Sequence, residues 1–239
     1  MIDTTLFTPA EAAKISGVNV ALQRDWRRRG ILPAIEGRTA SFGPTEVGAM
    51  MALKALADCG LGPLNFKGIA SKLGARIVRS ALLERSAYQG PAEEYLSGSR
   101  DRLDWIGEVH SLDRAEYVWE WRANSMADAI LKPIGHIDTQ SGYFFIQWAD
   151  GSFDFYGSPQ EPLGRLDPGD PRLAGAIIIL DLLSMGKLFV KRSGPFATIT
   201  DEIIAAQRST PLGQLLQSKI DSLLADVPET PSGGGRTDG

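Results

Sequence analysis

Residues 7–33, FTPAEAAKISGVNVALQRDWRRRGILP, read as two short helices broken by a glycine turn. Thr8 is a helix N-cap, Pro9 suits the first helical position, and Glu11 stands three residues after the cap, as a capping box requires. Gly17 ends this helix. Asn19 caps a second helix over about residues 20–29, and Gly30 can take the left-handed conformation that terminates it.

Two short helices meeting at a tight turn are the helix-turn-helix layout. At about 100° per residue, Leu22, Trp26 and Arg29 fall on one side of the second helix, and Val20, Gln23, Arg24 and Arg27 on the opposite side, with Arg28 at its edge. Leu22 and Trp26 supply the core anchors, and Arg29 can lay its stem across that core while its head stays in water. Arg27, Arg28 and Arg29 also occupy the last turn, where the helix dipole favours cations by tenths of a kcal/mol up to about 1 at the surface. That effect does not require Gln23 and Arg24 on one outward face, and the combination predicts a surface that faces DNA.

The following stretch, ILPAIEGRTASFGPTEVGAMMALKALADCG, residues 31–60, reads as a short apolar strand, a Gly37-Arg38 turn, Phe42, and a further helix that starts at Gly43-Pro44-Thr45-Glu46 and ends near Gly60. A hairpin in this place is a wing, and it would bring Arg38 and Thr39 to a phosphate backbone or a minor groove.

Together these residues resemble the winged helix-turn-helix head of MerR-type transcriptional regulators and, nearly as well, excisionase-like heads. The resemblance covers roughly residues 6–75 and is carried by the GVN turn, Arg24, Trp26, the RGILP exit, Phe42, and Glu46-Val47. It implies groove and phosphate contacts from Arg24 and the start of the second helix, and wing support from Trp26 and Phe42. Asp25 and Trp26 stand where MerR-type heads carry a tyrosine pair, Leu22 and Gln23 where a threonine and an aliphatic are usual, and Ala40 where a basic residue is common before the wing aromatic. Trp26 is closer to the excisionase pattern.

Charge agrees with this division. Residues 1–87 carry 12 Lys/Arg and 7 Asp/Glu, a net of +5, whereas the rest carries 13 and 22, a net of −9. A basic head on an acidic body suits a nucleic-acid-binding module joined to a different kind of domain, although charge alone is equally compatible with chance surface variation. With 43% hydrophobic and 23% charged residues in 239, the chain is ordinary globular material. No basic region followed by an apolar stretch opens it, and the longest apolar run, residues 173–190, contains Asp181 and Lys187, so a buried helix is expected rather than a membrane span. A single cysteine, Cys59, leaves no disulfide framework or multi-cysteine metal site and fits a cytoplasmic protein.

Downstream, LGPLNFKGIASKLGARIVRSALLERSAY, residues 61–88, starts a helix at Pro63 with Phe66, Ile69, Leu73, Ile77 and Leu82 at mostly helical spacing, interrupted by Gly68 and Gly74. It packs onto the head or serves as a dimer helix. A Gly-, Ser- and charge-rich linker over residues 88–100 separates the head, 1–87, from a body, 101–226, and a flexible tail, 227–239. In the body, YFFIQWADGSFDFYG predicts a hairpin with Asp150-Gly151 as a two-residue turn, pairing Trp148 with Phe153, Ile146 with Phe155 and Gln147 with Asp154. EYVWEW, with Trp119 and Trp121, reads equally as strand or helix. Asp170-Pro171 is expected to cap one long apolar helix to Lys191, with Ile177, Leu180, Leu183 and Leu188 in the core, and Thr210-Pro211 a last helix to Ala225.

The expected fold is therefore α+β, a winged helix-turn-helix head followed by a mixed α/β body with a β-hairpin and a long apolar helix. No phosphate-cradling loop, nucleophile elbow or helical histidine pair is present, so no enzyme activity, cofactor or metal is expected. His136 with Asp138 makes only a weak metal pair beside ordinary hydrogen bonding, and His110 has no partner signal. Trp105, Trp119, Trp121 and Trp148 could enclose a ligand, though aromatics at alternating spacing are more often plain core. The function expected is sequence-specific transcriptional regulation, with double-stranded DNA as partner, Asn19, Val20, Gln23, Arg24, Arg27, Arg28, Arg38 and Thr39 as contacts, a homodimer organised by the body, and no membrane. The body is open to a protein partner or a small-molecule effector. The alternative is a phage-type DNA-packaging recruiter, small-terminase-like, or an excisionase-like recombination factor using the same head.

Overall fold

The computed structural model describes residues 3–33, 40–89, 123–124, 126–128, 130–131, 142–198, 214 and 218. The fold is mixed α+β. Its first helices form as the caps dictate. α1 (Pro9–Ser16) begins with the reciprocal bonds of Thr8 and Glu11 and ends at Gly17, whose φ of 77° lets its N–H reach the Ala13 carbonyl. α2 (Val20–Arg28) begins with the Asn19 side chain accepting from the Leu22 N–H at 2.8 Å, and the chain reverses at Gly30, φ 65°. α3 (Pro44–Asp58) is followed by a 3-10 turn, Pro63–Ile69, and by α4 (Ala70–Leu82).

α3 and α4 approach through glycine. A Cβ on Gly74 would lie 2.1 Å from the Thr45 carbonyl oxygen and 2.7 Å from the Ala49 nitrogen, so the helix backbones touch directly. What looked in the sequence like an interruption of a helical seam is the contact that allows the close crossing. Around it, Val47, Met50, Leu53, Leu56, Leu73, Ile77 and Leu82 are all fully buried.

The long apolar helix expected from Pro171 onward is not what forms. A short 3-10 turn, Pro171–Leu173, leads into a β-strand, β5 (Ile178–Asp181), and only then into a helix, α5 (Leu182–Ser193). The reason lies in the residues. Consecutive β-branched isoleucines favour an extended backbone, and Asp181 caps α5 by accepting from the Ser184 N–H at 2.9 Å and hydroxyl at 2.7 Å. Of the expected core positions Leu180 is buried, Ile177 and Leu183 are half-buried and Leu188 is exposed.

Two small sheets complete the described structure. In one, β3 (Phe144–Gln147) lies between β4 (Phe153–Tyr156) and β5, antiparallel to both. The hairpin exists, but its register is one residue from that expected: Phe145 faces Phe155, Ile146 faces Asp154 and Gln147 faces Phe153. The turn takes in a third residue. Trp148 and Ser152 bond across it at 2.8 Å, with Gly151 left-handed at φ 88° and Asp150 accepting from the Ser152 N–H and hydroxyl. A one-residue slip exchanges faces, so Phe145, Phe153 and Phe155 cluster together, with ring centroids 5.7 Å and 5.5 Å from Phe145. Phe145 also meets Phe66 edge-on, and the Arg76 guanidinium lies 4.2 Å over Phe155, so this sheet sits against the helices of the N-terminal third.

The second sheet joins distant parts of the chain. β6 (Ala197–Thr198) lies between β1 (Asp3–Thr4) and β2 (Tyr88–Gln89). Tyr88, expected at the start of a linker, is buried with its hydroxyl donating to the Leu82 carbonyl at 2.7 Å, and burial pushes its phenol pKa up. α5 packs on α4 and α1, and Phe189, Phe196 and Ala197 belong to the same hydrophobic core as Phe7, Ile15 and Leu73. The expected boundary between a self-contained head at 1–87 and a later body is thus not how the described residues pack. Met126, Ala127 and Leu131, all helical, join this core, and Arg79 pairs with Asp128 and with Asn124. Trp105, Trp119, Trp121, His110, His136 and Asp138 lie outside the described residues, as does the expected last helix except for helical Gln214 and Ser218.

Candidate nucleic-acid interface

The corner between α1 and α2 is tightly fixed. Val18 is fully buried in the turn, and the Ser16 hydroxyl donates to the Ala12 carbonyl while accepting from the Val18 N–H. Gln23 closes it. Its Nε2 donates to the Pro9 and Val18 carbonyls at 2.9 Å each, and the residue is only 1% exposed. This corrects the sequence expectation, which placed Gln23 outward among the DNA contacts. The side of α2 opposite Leu22 was taken as open, but α1 covers the part of it that carries Gln23. Its amide nitrogen satisfies two carbonyls, while its Oε1 is buried with no hydrogen-bond partner among the described residues.

The face of α2 that remains open runs along Ala21, Arg24 and Arg28, spaced so that one helical side carries all three. Arg24 is exposed, and among the described residues its side chain has no hydrogen-bond or ion-pair partner. Arg28 donates to Asp25 at 2.5 Å and Arg29 to the other carboxylate oxygen at 2.9 Å, with side chains 79% and 63% exposed. One carboxylate thus holds two guanidiniums at the C-terminal end of the helix, and the row stays net positive.

Arg27 is used differently from the expectation of a DNA contact. Its guanidinium stacks 4.2 Å over the Phe42 ring and is half-buried, with burial drawing its pKa down and the Glu46 carboxylate opposing that shift. Glu46 itself accepts from the Gly43 N–H at 2.7 Å. Phe42, fully buried, exchanges two backbone hydrogen bonds of 2.9 Å with Phe7, ahead of α1. Trp26, buried on the inner side of α2, accepts from the Ile31 N–H at 2.8 Å. Arg27, Trp26 and Phe42 therefore tie α2 to both ends of the segment 34–39. Arg38 and Thr39 lie within that segment, outside the described residues. Asn19 is exposed, with its side-chain oxygen spent on the cap, and Val20 is half-buried beside it.

Sequence reasoning missed Lys67. Its ammonium lies beside Gly30, 3.2 Å from where a Cβ on that glycine would be, which adds a cation where α2 ends. A separation of 37 residues hides this neighbour from any helical-face argument, and only the absence of a side chain at Gly30 hints that something approaches.

Among the described residues no group of three or more His, Cys, Asp or Glu could hold a metal ion, and no helix is long and apolar enough to cross a membrane. Comparison of the chain with protein-family models, with curated proteins and with solved structures finds no match in any of the three.

Proposed function

We propose that this chain binds double-stranded DNA sequence-specifically and acts as a transcriptional regulator of MerR-like type. In this reading α1 and α2 are the helix-turn-helix, and the Arg24–Arg28 face of α2 enters the major groove. The observation that carries it is Arg24. It stands exposed and, among the described residues, unpartnered at the centre of the open face of a short helix whose Gln23, Arg28 and Arg27 are committed to the corner carbonyls, to Asp25 and to Phe42. Arginine in that setting can pair bidentately with the O6 and N7 of a guanine. The positive row at the end of α2 supplies the sequence-independent attraction to phosphates. Since one short helix offers few base contacts, two copies on one duplex, with half-sites about 34–36 Å apart on the same face, would supply the rest.

The test is a binding titration on DNA selected by the full-length protein. Arg24→Ala is expected to weaken binding about 5- to 150-fold, the roughly 1–3 kcal/mol of a bidentate base contact, with a loss that depends on the sequence of the site. Arg28→Ala is expected to weaken binding to all duplexes alike. Undiminished binding by Arg24→Ala removes the α2 face from the site.

A further inference from the structure

α5 follows α2 by more than 150 residues, yet it is built into the corner that carries Arg24. It lies directly on α4, since a Cβ on Gly186 would be 2.6 Å from the Ala81 nitrogen and 2.8 Å from the Ile77 carbonyl oxygen. One turn further, buried Phe189 meets Phe7 edge-on at 6.0 Å and Phe196 at 5.0 Å. Phe7 in turn is bonded to Phe42, the ring under Arg27 of α2. At the end of α5, the Arg192 Nη1 donates to the Ile15 carbonyl at 2.7 Å. Ile15 is in the last turn of α1, where carbonyls lack helical partners and a cation complements the helix dipole. Ala13 and Ala12 in that turn are served by Gly17 and Ser16 from the corner itself, whereas Ile15 is served from α5.

We propose that α5 is a positioning element for the α1–α2 corner, with Arg192 the positioning residue that holds the turn, so that the C-terminal part of the chain sets the orientation of the helix presenting Arg24. The consequence for DNA rests on the functional reading above, but the holding of the turn does not. Both are read on the full chain, using Arg192→Ala and Arg192→Lys.

In the free protein, Arg192→Ala is expected to speed amide hydrogen exchange at residues 17–23 on the order of tenfold, the scale of one charge-assisted hydrogen bond, with exchange in α3 and α4 unchanged. On selected DNA it is expected to weaken binding by a similar factor without altering the dependence of affinity on salt, because no phosphate contact is lost. Lysine, which keeps a donor and a charge, is expected to restore most of both. Unchanged exchange at the turn overturns the proposal, as does faster exchange with undiminished DNA affinity. A fall of about 0.9 in the salt slope overturns it differently, by making Arg192 itself a phosphate contact. If the wild-type chain binds no duplex, the DNA reading fails by itself, and the exchange comparison still decides whether α5 holds the turn.

Discussion

Residues 1–87 produced without the rest of the chain are expected not to fold cooperatively. The cut removes Leu182, Phe189, Val190 and Phe196, all buried in the core they share with the N-terminal helices. At roughly 1.5–3 kcal/mol for each large apolar side chain, the four amount to about 6–12 kcal/mol, comparable with the roughly 5–15 kcal/mol total stability of an ordinary domain. The cut also removes β2 and β6, leaving β1 without its sheet, and the Arg192 bond to α1. Near-ultraviolet circular dichroism and a thermal scan check this. The fragment should lack the fixed aromatic signal and the sharp transition of the full chain; a fragment melting cooperatively near the full-length midpoint would show that α5 only decorates the helices it covers.

Gly74→Ala is expected to be severely destabilising even though alanine is the better helix former by about 1 kcal/mol. The added carbon would meet backbone atoms of α3, the Thr45 oxygen at 2.1 Å and the Ala49 nitrogen at 2.7 Å. Backbone cannot rotate aside as a side chain can. The helices must separate, loosening fully buried Met50, Leu53, Leu73 and Ile77. Overpacking typically costs about 1–3 kcal/mol and more where backbone must move, so a net loss of about 3 kcal/mol or more is expected. Gly68→Ala is the control, because nothing lies within 4 Å of a Cβ there. Urea denaturation of both variants distinguishes the cases: a Gly74→Ala midpoint equal to that of Gly68→Ala contradicts the close crossing.

The parts of the fold legible in the sequence are those set by local chemistry. Thr8 with Glu11, Gly17, Asn19 and Gly30 mark the ends of α1 and α2 because caps and left-handed glycines act within a turn or two of the chain. Trp26 as an interior residue follows from helical spacing, whereas a supporting role for Phe42 comes from the family resemblance; both are buried. What was illegible depended on neighbours remote in sequence. Gln23 looks outward on a helical wheel drawn for α2 alone and is buried because α1 crosses that arc. Ile177 to Asp181 have helix-like apolar content, but pairing of residues 178–181 with β3 and the cap at Asp181 divide the run into strand and helix. The polar composition after Ala87 suggested a linker, whereas Tyr88 and Gln89 pair with residues more than 100 positions later. Of the expected contacts, Arg24 and Arg28 stand on the open face and Arg27 is drawn onto the Phe42 ring, 15 residues away, while Lys67, which was not expected, enters from beyond α3.

The central claim is that the open face of α2 reads a DNA sequence. Its most direct test is to fragment genomic DNA, incubate it with the purified full-length protein at near-physiological salt, and sequence what is retained, with the Arg24→Ala, Arg28→Ala double variant in parallel. The account predicts that the wild-type chain enriches a small set of fragments sharing one motif, in promoter regions, and that the double variant enriches none. Retention of the same fragments by both proteins, or of no fragments above input by the wild type, would contradict it.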